Sequence, residues 1–166
     1  MATPATREMV YSKVKEAQDA GYSPIIVVSA MGRRGDPFAT DTLIDMIKSV
    51  NPEVAPHELD LLMACGEIIS ATVMAATLQE HGLKAHALTG GQAGMIANGE
   101  YGDAKIRTVE PDTLLKLVER GIIPVVCGFQ GETEDHKNIV TLGRGGSDTS
   151  AAAFGVAVHA DKVEIY

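Results

Sequence analysis

Residues 141–150 read "TLGRGGSDTS". Arg144 stands among Gly143, Gly145 and Gly146, with Ser147 and Asp148 next and an alanine-rich run beyond. Glycine loses more backbone freedom on folding than any other residue, so three around one guanidinium call for a reason. A glycine-rich turn that opens a helix turns free N–H groups toward an anion. Arginine adds a planar fork that matches a carboxylate through two bonds. Asp148 would lie in the first helical turn, where a negative charge is favoured; it could equally orient a cation or an amine. The plainer alternative is a turn with Ser147 or Asp148 as helix cap, which needs neither the arginine nor the glycines.

Three further stretches could carry chemistry. "SAMG" (residues 29–32) leaves the C-terminal end of an apolar run, where ligands bind in open α/β sheets. Glu67 lies in "ACGEIIS", a segment so apolar that its carboxyl must be paired or open to a cleft. The adjacent Gly66 implies that something packs closely there, because glycine costs about 1 kcal/mol against alanine inside a helix. "TGGQAGM" (89–95) has the glycines of a strand exit, and a hairpin or wide turn explains it nearly as well.

The elements that must position these groups follow from periodicity. Helical spacing runs over 4–20 and is ended by Gly21. "SPIIVVSAM" is a continuous apolar strand buried on both faces. "TDTLIDMIKSV" forms a short helix with Thr40 near its cap, and residues 56–82 form a long helix, apolar around most of its circumference. Strands follow at "LKAHALTG" and "AKIRTVE", a helix opens at Pro111, and "IIPVVCGF" is another buried strand. A loop over 129–146, a helix over 147–159 and a last strand "KVEIY" complete the chain. Apolar strands alternating with amphipathic helices predict a single three-layer α/β domain with a mostly parallel sheet covered on both faces. Both ends look cut: only three residues precede a helix that should be a crossover, and the chain stops on a strand end.

Bulk properties narrow the function classes. The chain has 166 residues, 45% hydrophobic, with a formal net charge of −8 and no concentration of basic residues. That argues against nucleic acid, which needs clustered Lys and Arg. No run approaches the roughly 20 apolar residues of a membrane helix, and the start lacks the pattern of a signal peptide, so a cytoplasmic protein is expected. Cys65 and Cys127 have no metal or redox spacing and read as reduced thiols. The five histidines lack metal-ligand spacing, so no metal site is expected among protein side chains.

Taken together and in order, "VVSAMG", "ACGE", "TGGQAG", "GFQG" and "TLGRGGSDT" resemble the catalytic domain of the aspartokinases, within the amino-acid kinase family. The resemblance covers the chain from about residue 4 to Tyr166, and "LGRGGSDT" after a "GFQG" loop is its specific part. It implies ATP-dependent phosphorylation of the side-chain carboxylate of L-aspartate, in the pathway to lysine, with ATP and Mg2+ as expected companions. Residue by residue, it implies that Arg144 binds a carboxylate of aspartate and that Glu67 accepts from its α-amino group. Ser29 and Thr40 would line the pocket with Gln130 and Gly131 near it, and Gly145, Gly146 and Ser147 would complete it. Ser29, Ala30, Met31 and Gly32 would face the nucleotide, and Asp148 would organise the reaction centre.

The departures are equally specific. Aspartokinases begin with a strand and a loop of the form "KFGGTS", whose lysine neutralises the transferring phosphate, whereas this chain begins "MATP". The residues that hold the nucleotide and the small regulatory domains would follow "VEIY". The expectation is an amino-acid kinase catalytic domain over residues 1–166 lacking those parts. Losing such a lysine alone removes on the order of 100- to 1000-fold in rate. Two alternatives stay open: a fragment that binds aspartate or another amino acid without turnover, and a subunit completed by another chain. A homo-oligomer is the expected assembly, because an unpaired buried strand position invites association.

Overall fold

The strand that organises the molecule is "IPVVC" at residues 123–127, buried along its whole length. Its side chains alternate between two cores, as a pleated strand requires. The computed structural model describes residues 2–143 and 145–166.

In chain order the elements are α1 (Pro4–Asp19), β1 (Ile26–Val28), α2 (Thr40–Val50), α3 (Pro56–Glu80), β2 (Ala85–Leu88), β3 (Met95–Asn98), β4 (Lys105–Val109), α4 (Asp112–Glu119), β5 (Ile123–Cys127), β6 (Gln130–Glu132), β7 (Ile139–Thr141) and α5 (Gly146–Ala157). A three-stranded parallel sheet has the order β1-β5-β2. Ile123, Val125 and Cys127 of β5 meet Val14 of α1 and Ala71, Met74, Ala75 and Leu78 of α3. Val126 faces the other way, toward Leu114 and Leu117 of α4 and Phe154 of α5. Helices therefore cover both faces of the parallel sheet, the α/β arrangement expected from the pattern of the chain.

A second sheet departs from the sequence expectation. It has the order β4-β3-β6-β7, with antiparallel outer pairs and one parallel contact between β3 and β6. The stretch 129–146, expected as a loop, contains the hairpin β6–β7; strands of three residues are too short to leave a period. "TGGQAGM" is a tight turn into β3, where Thr89 N–H donates to Gln92 Oε1 at 3.0 Å and Gln92 N–H donates to Thr89 Oγ1 at 3.1 Å. "KVEIY" forms no strand: it is exposed, and none of the described strands pairs with it. Its alternating apolar residues satisfy strand propensity, but a strand exists only through its ladder.

Helix α3 is the spine of the fold. By length and composition it could cross a membrane, which the sequence reading did not anticipate. It packs instead against α1, α2 and all three strands of the parallel sheet, with Met74 and Leu78 fully buried. Two buried carboxyl groups, Asp60 and Glu67, lie two turns apart on it. Asp60 is wholly satisfied. Its Oδ2 accepts from Thr141 N–H at 2.7 Å and from Gly102 N–H at 3.0 Å, and its Oδ1 accepts from the Thr141 hydroxyl at 3.1 Å. Those bonds tie α3 to β7 and to the loop that carries Gly102. Asp60→Ala would leave the two buried Thr141 donors and the Gly102 N–H without this acceptor, and we expect a loss of about 3 kcal/mol in urea unfolding, with Asp60→Asn losing less. A loss under about 1 kcal/mol would mean that the loop is held by other contacts.

Candidate functional site

The parallel strands end where α2 and α5 begin, and a cavity of about 540 Å³ opens there. Its floor is built by α3. Glu67 and Met63, one turn apart, reach it beside Ser29 and Ala30 at the exit of β1. Glycine at 66 makes that approach possible. A Cβ there would stand 2.8 Å from Ala30 Cβ and 3.1 Å from Phe38 O, so a larger residue would push α3 off β1. The close packing that Gly66 implied in the sequence is thus a contact with the "SAMG" segment itself.

Glu67 is 2% exposed. One oxygen, Oε1, accepts from Ala30 N–H at 2.8 Å. The other, Oε2, is buried and has no hydrogen-bond partner among the described residues. Burial pushes the carboxyl from its ordinary value of 4.5 up to about 7, and the Ala30 N–H only partly opposes this. A buried acceptor left unsatisfied on a residue that lines a cavity is a place for a ligand donor. Cys127 lies close enough to feel this charge. Burial first, and Glu67 second, push its thiol up to about 12, so it is no nucleophile. Both cysteines are free.

The walls are helix ends. Ala39 is the N-cap of α2, and Ala39, Thr40 and Asp41 line the cavity. Thr40 opens the helix rather than capping it. Gly145, with φ +75°, is the N-cap of α5, and Gly145, Gly146, Ser147 and Asp148 line the opposite side. Among the described residues, no side chain caps either helix end. At α5 the Gly146 N–H is taken by the Gly143 carbonyl at 3.1 Å, but the first turns of both helices line one cavity, each with the positive end of a helix dipole. Helix α5 is seated by glycine as well: a Cβ at Gly128 would stand 3.0 Å from Ser147. Phe129, on the cavity wall, adopts φ +65°, a conformation unfavourable for an aromatic residue. Its N–H donates to Ser150 Oγ at 3.0 Å and its carbonyl accepts from Leu142 N–H at 2.8 Å, which hold it there.

The sequence candidates divide. Ser29, Ala30, Gly32, Thr40 and Glu67 come together with Gly145, Gly146, Ser147 and Asp148 around this one space. Arg144 lies outside the described residues. Met31, Gln130 and Gly131 do not line the cavity. Met31 is buried, and Gln130 turns into the core, where its Nε2 donates to the Ala64 carbonyl at 3.1 Å. At Gly131 a Cβ would stand 3.0 Å from Met95 O, so glycine there serves strand packing. Sequence reasoning did not single out Arg33, Arg34, Asp41, Gly102 or Phe129, all on the wall. The two arginines directly follow "SAMG", which was a usable signal; Gly102 is tied there by its bond to Asp60, a partner distant in sequence.

The raised carboxyl of Glu67 has a consequence for stability. Between pH 4.5 and about 7 the folded protein keeps a proton there that the unfolded chain has released. Its contribution is therefore greatest below pH 4.5, declines as pH rises and levels off above about 7. The difference between the native protein and Glu67→Gln in urea unfolding should change across that window by at most about 3 kcal/mol. A pH-independent difference would contradict the shift.

Known proteins are similar to this chain in sequence and in fold. Aspartokinase 1 of Bacillus subtilis (strain 168) is 46% identical over 160 residues, covering 96% of this chain and 39% of that protein. The aspartokinase of Mycolicibacterium smegmatis is 43% identical over 157 residues, covering 95% and 36%. The chain thus spans about two fifths of the length of these curated relatives. Among solved structures, aspartate kinase from Synechocystis superposes with a TM-score of 0.76 at 37% identity, covering 96% of this chain and 25% of that one. Aspartokinase III of E. coli, solved in complex with aspartate and ADP, gives a TM-score of 0.65 at 26% identity, covering 76% and 29%. The amino acid kinase family matches over residues 1–166, and the chain belongs to that family.

Proposed function

We propose that this chain carries the acceptor half of an aspartate kinase site, which holds L-aspartate while ATP phosphorylates its side-chain carboxylate. The observation that carries this reading is Glu67: a buried carboxyl with one unsatisfied oxygen, on the floor of a cavity walled by two uncapped helix ends. Negative floor and positive walls suit a small zwitterion. The α-ammonium would donate to Glu67 Oε2, and the carboxylates would face the N–H groups of α2 and α5. Arg144 would take one carboxylate through its fork, with Ser29, Thr40 and Ser147 supplying hydroxyls. Kinship to aspartokinases supports the choice of aspartate among such amino acids.

ATP supplies the phosphoryl group when bound. Phosphoryl transfer asks chiefly for positioning and charge neutralisation. The acceptor carboxylate is already ionised at neutral pH, so the chain needs no general base. Asp148, on the wall, would organise the reaction centre. Magnesium fits such a site without a protein cage, since it usually takes one or two carboxylates and the substrate phosphates. Among the described residues no three ligating side chains cluster, and Asp148 and Asp41 are the carboxylates that line the walls. The domain assignment, residues 1–166 as a catalytic domain needing further segments for the nucleotide, belongs to the same reading.

Calorimetric titration with L-aspartate tests it. We expect binding that Glu67→Gln weakens at least about tenfold, the scale of one charge-assisted hydrogen bond. Because the ammonium requires ionised Glu67, affinity should be flat above about pH 7 and fall by up to about tenfold per unit below it, with proton release. Glu67→Gln should lose that dependence. Equal affinity of the two proteins would remove Glu67 as the amine anchor, and absence of binding in the native protein would sink the acceptor reading.

A further inference from the structure

Resting on the kinase reading, we propose that Arg33 is the cation that receives the terminal phosphate of the donor at the mouth of the cavity. The residue follows the "SAMG" turn and lines the same space as Glu67, but it is exposed where Glu67 is buried. The acceptor is seated from the floor, so the second reactant must enter from the open side. A cation on that rim meets the donor and not the amino end of the acceptor.

Its surroundings leave the guanidinium free for that role. Two arginines lie side by side on the rim, and they differ. Arg34 is bracketed by Asp45 at 3.2 Å and Asp41 at 3.5 Å, so its charge is already answered. Arg33 makes no ion pair among the described residues, although Asp36 is three residues away. The reason is that Asp36 is engaged with the backbone. Its Oδ2 accepts from Arg33 N–H at 2.7 Å, and its own N–H donates to the Arg33 carbonyl at 2.8 Å. Gly32, at φ +88°, is pressed against the same carboxylate, since a Cβ there would stand 2.6 Å from Asp36 Oδ2. Asp36 thus fixes the main chain under Arg33 while leaving its side chain unpaired. A cation with a fixed base, a free head and a cavity in reach is built to take an anion from solution. The planar fork suits phosphate oxygens.

Inorganic tripolyphosphate is the probe, titrated calorimetrically beside L-aspartate into the native protein and three variants. Arg33→Gln should weaken tripolyphosphate about tenfold or more, and Arg33→Lys, which keeps charge but not the fork, by less. Arg107→Gln, which removes one exposed positive charge paired with Glu134 elsewhere, should leave it unchanged. L-Aspartate affinity in Arg33→Gln should stay within about twofold of native, which also shows that the variant is folded. Four results overturn the proposal: native protein that does not bind tripolyphosphate, no loss in Arg33→Gln, equal losses in Arg33→Gln and Arg107→Gln, or an aspartate loss as large as the tripolyphosphate loss. Failure of the native protein to bind aspartate, with Arg33-dependent tripolyphosphate binding intact, would instead reject the acceptor reading and leave Arg33 as a polyphosphate ligand.

Discussion

Everything at the candidate site depends on how closely α3 can lie against the exit of β1. The hydrogen bond from Ala30 N–H to Glu67 Oε1, 2.8 Å long, exists only because Gly66 lets the helix backbone come down onto Ala30 and Phe38. A methyl group at 66 would meet Ala30 Cβ at 2.8 Å, well inside ordinary contact. Lifting the helix would lengthen the Glu67 bond and shift the floor away from the two helix ends that form the walls. The apolar packing of Met74, Ala71 and Leu78 against β5 supplies the force that holds the helix down, and it acts one to three turns from the carboxyl it positions.

Two carboxyl groups on one helix face show how burial separates structure from function. Asp60 and Glu67 are equally inaccessible, at 1% and 2% exposure. Asp60 has three donors and a structural consequence, since it fastens the Gly102 loop and β7 to α3. Glu67 has one donor from the chain, an orphaned oxygen and a carboxyl pushed up to about 7. Leaving a buried acceptor unpaired is unfavourable, and a fold that could satisfy one carboxyl fully did not do so for the other. On the proposed function, this is how a binding residue differs from a structural one: its missing partner would arrive with the ligand.

What the sequence revealed and what it hid follow from the range of the interactions. Helix and strand periods, the glycine beside Glu67 and the glycine-rich turn before α5 are local, and all were readable. Asp60 was passed over inside the periodic run "HELDLLMACGE", because its partner Thr141 is 81 residues away. The hairpin β6–β7 escaped because three-residue strands carry no period, and "KVEIY" misled because alternation promises a strand without supplying a neighbour. Gln130 shows the limit of carrying roles across by motif. Its position in "GFQG" is as expected, yet its amide is turned to the Ala64 carbonyl, a contact that only the packed helix creates.

On the proposed function, a protein of net charge −8 would receive anionic ligands through local fields, since charges beyond roughly 10 Å are largely screened at moderate salt. Each helix end contributes the equivalent of about half a positive charge. Against these stand Asp41 and Asp148, both in first turns and both on the cavity wall. Arg34 answers Asp41 at 3.5 Å, so on the α2 side the positive helix end is left to act on a ligand. Asp148 has no ion pair among the described residues, and its carboxylate would repel an anion arriving beside it. That repulsion is relieved only if a cation arrives with the anion or is brought by another part of the site. Polarity therefore runs across the cavity as well as along its depth. The α2 and Arg33 side is suited to bare anionic groups, and the α5 side, through Asp148, to an anion accompanied by positive charge. On the proposed function, that asymmetry would help one cavity hold two mutually repelling substrates, a carboxylate and a polyphosphate, at the same time.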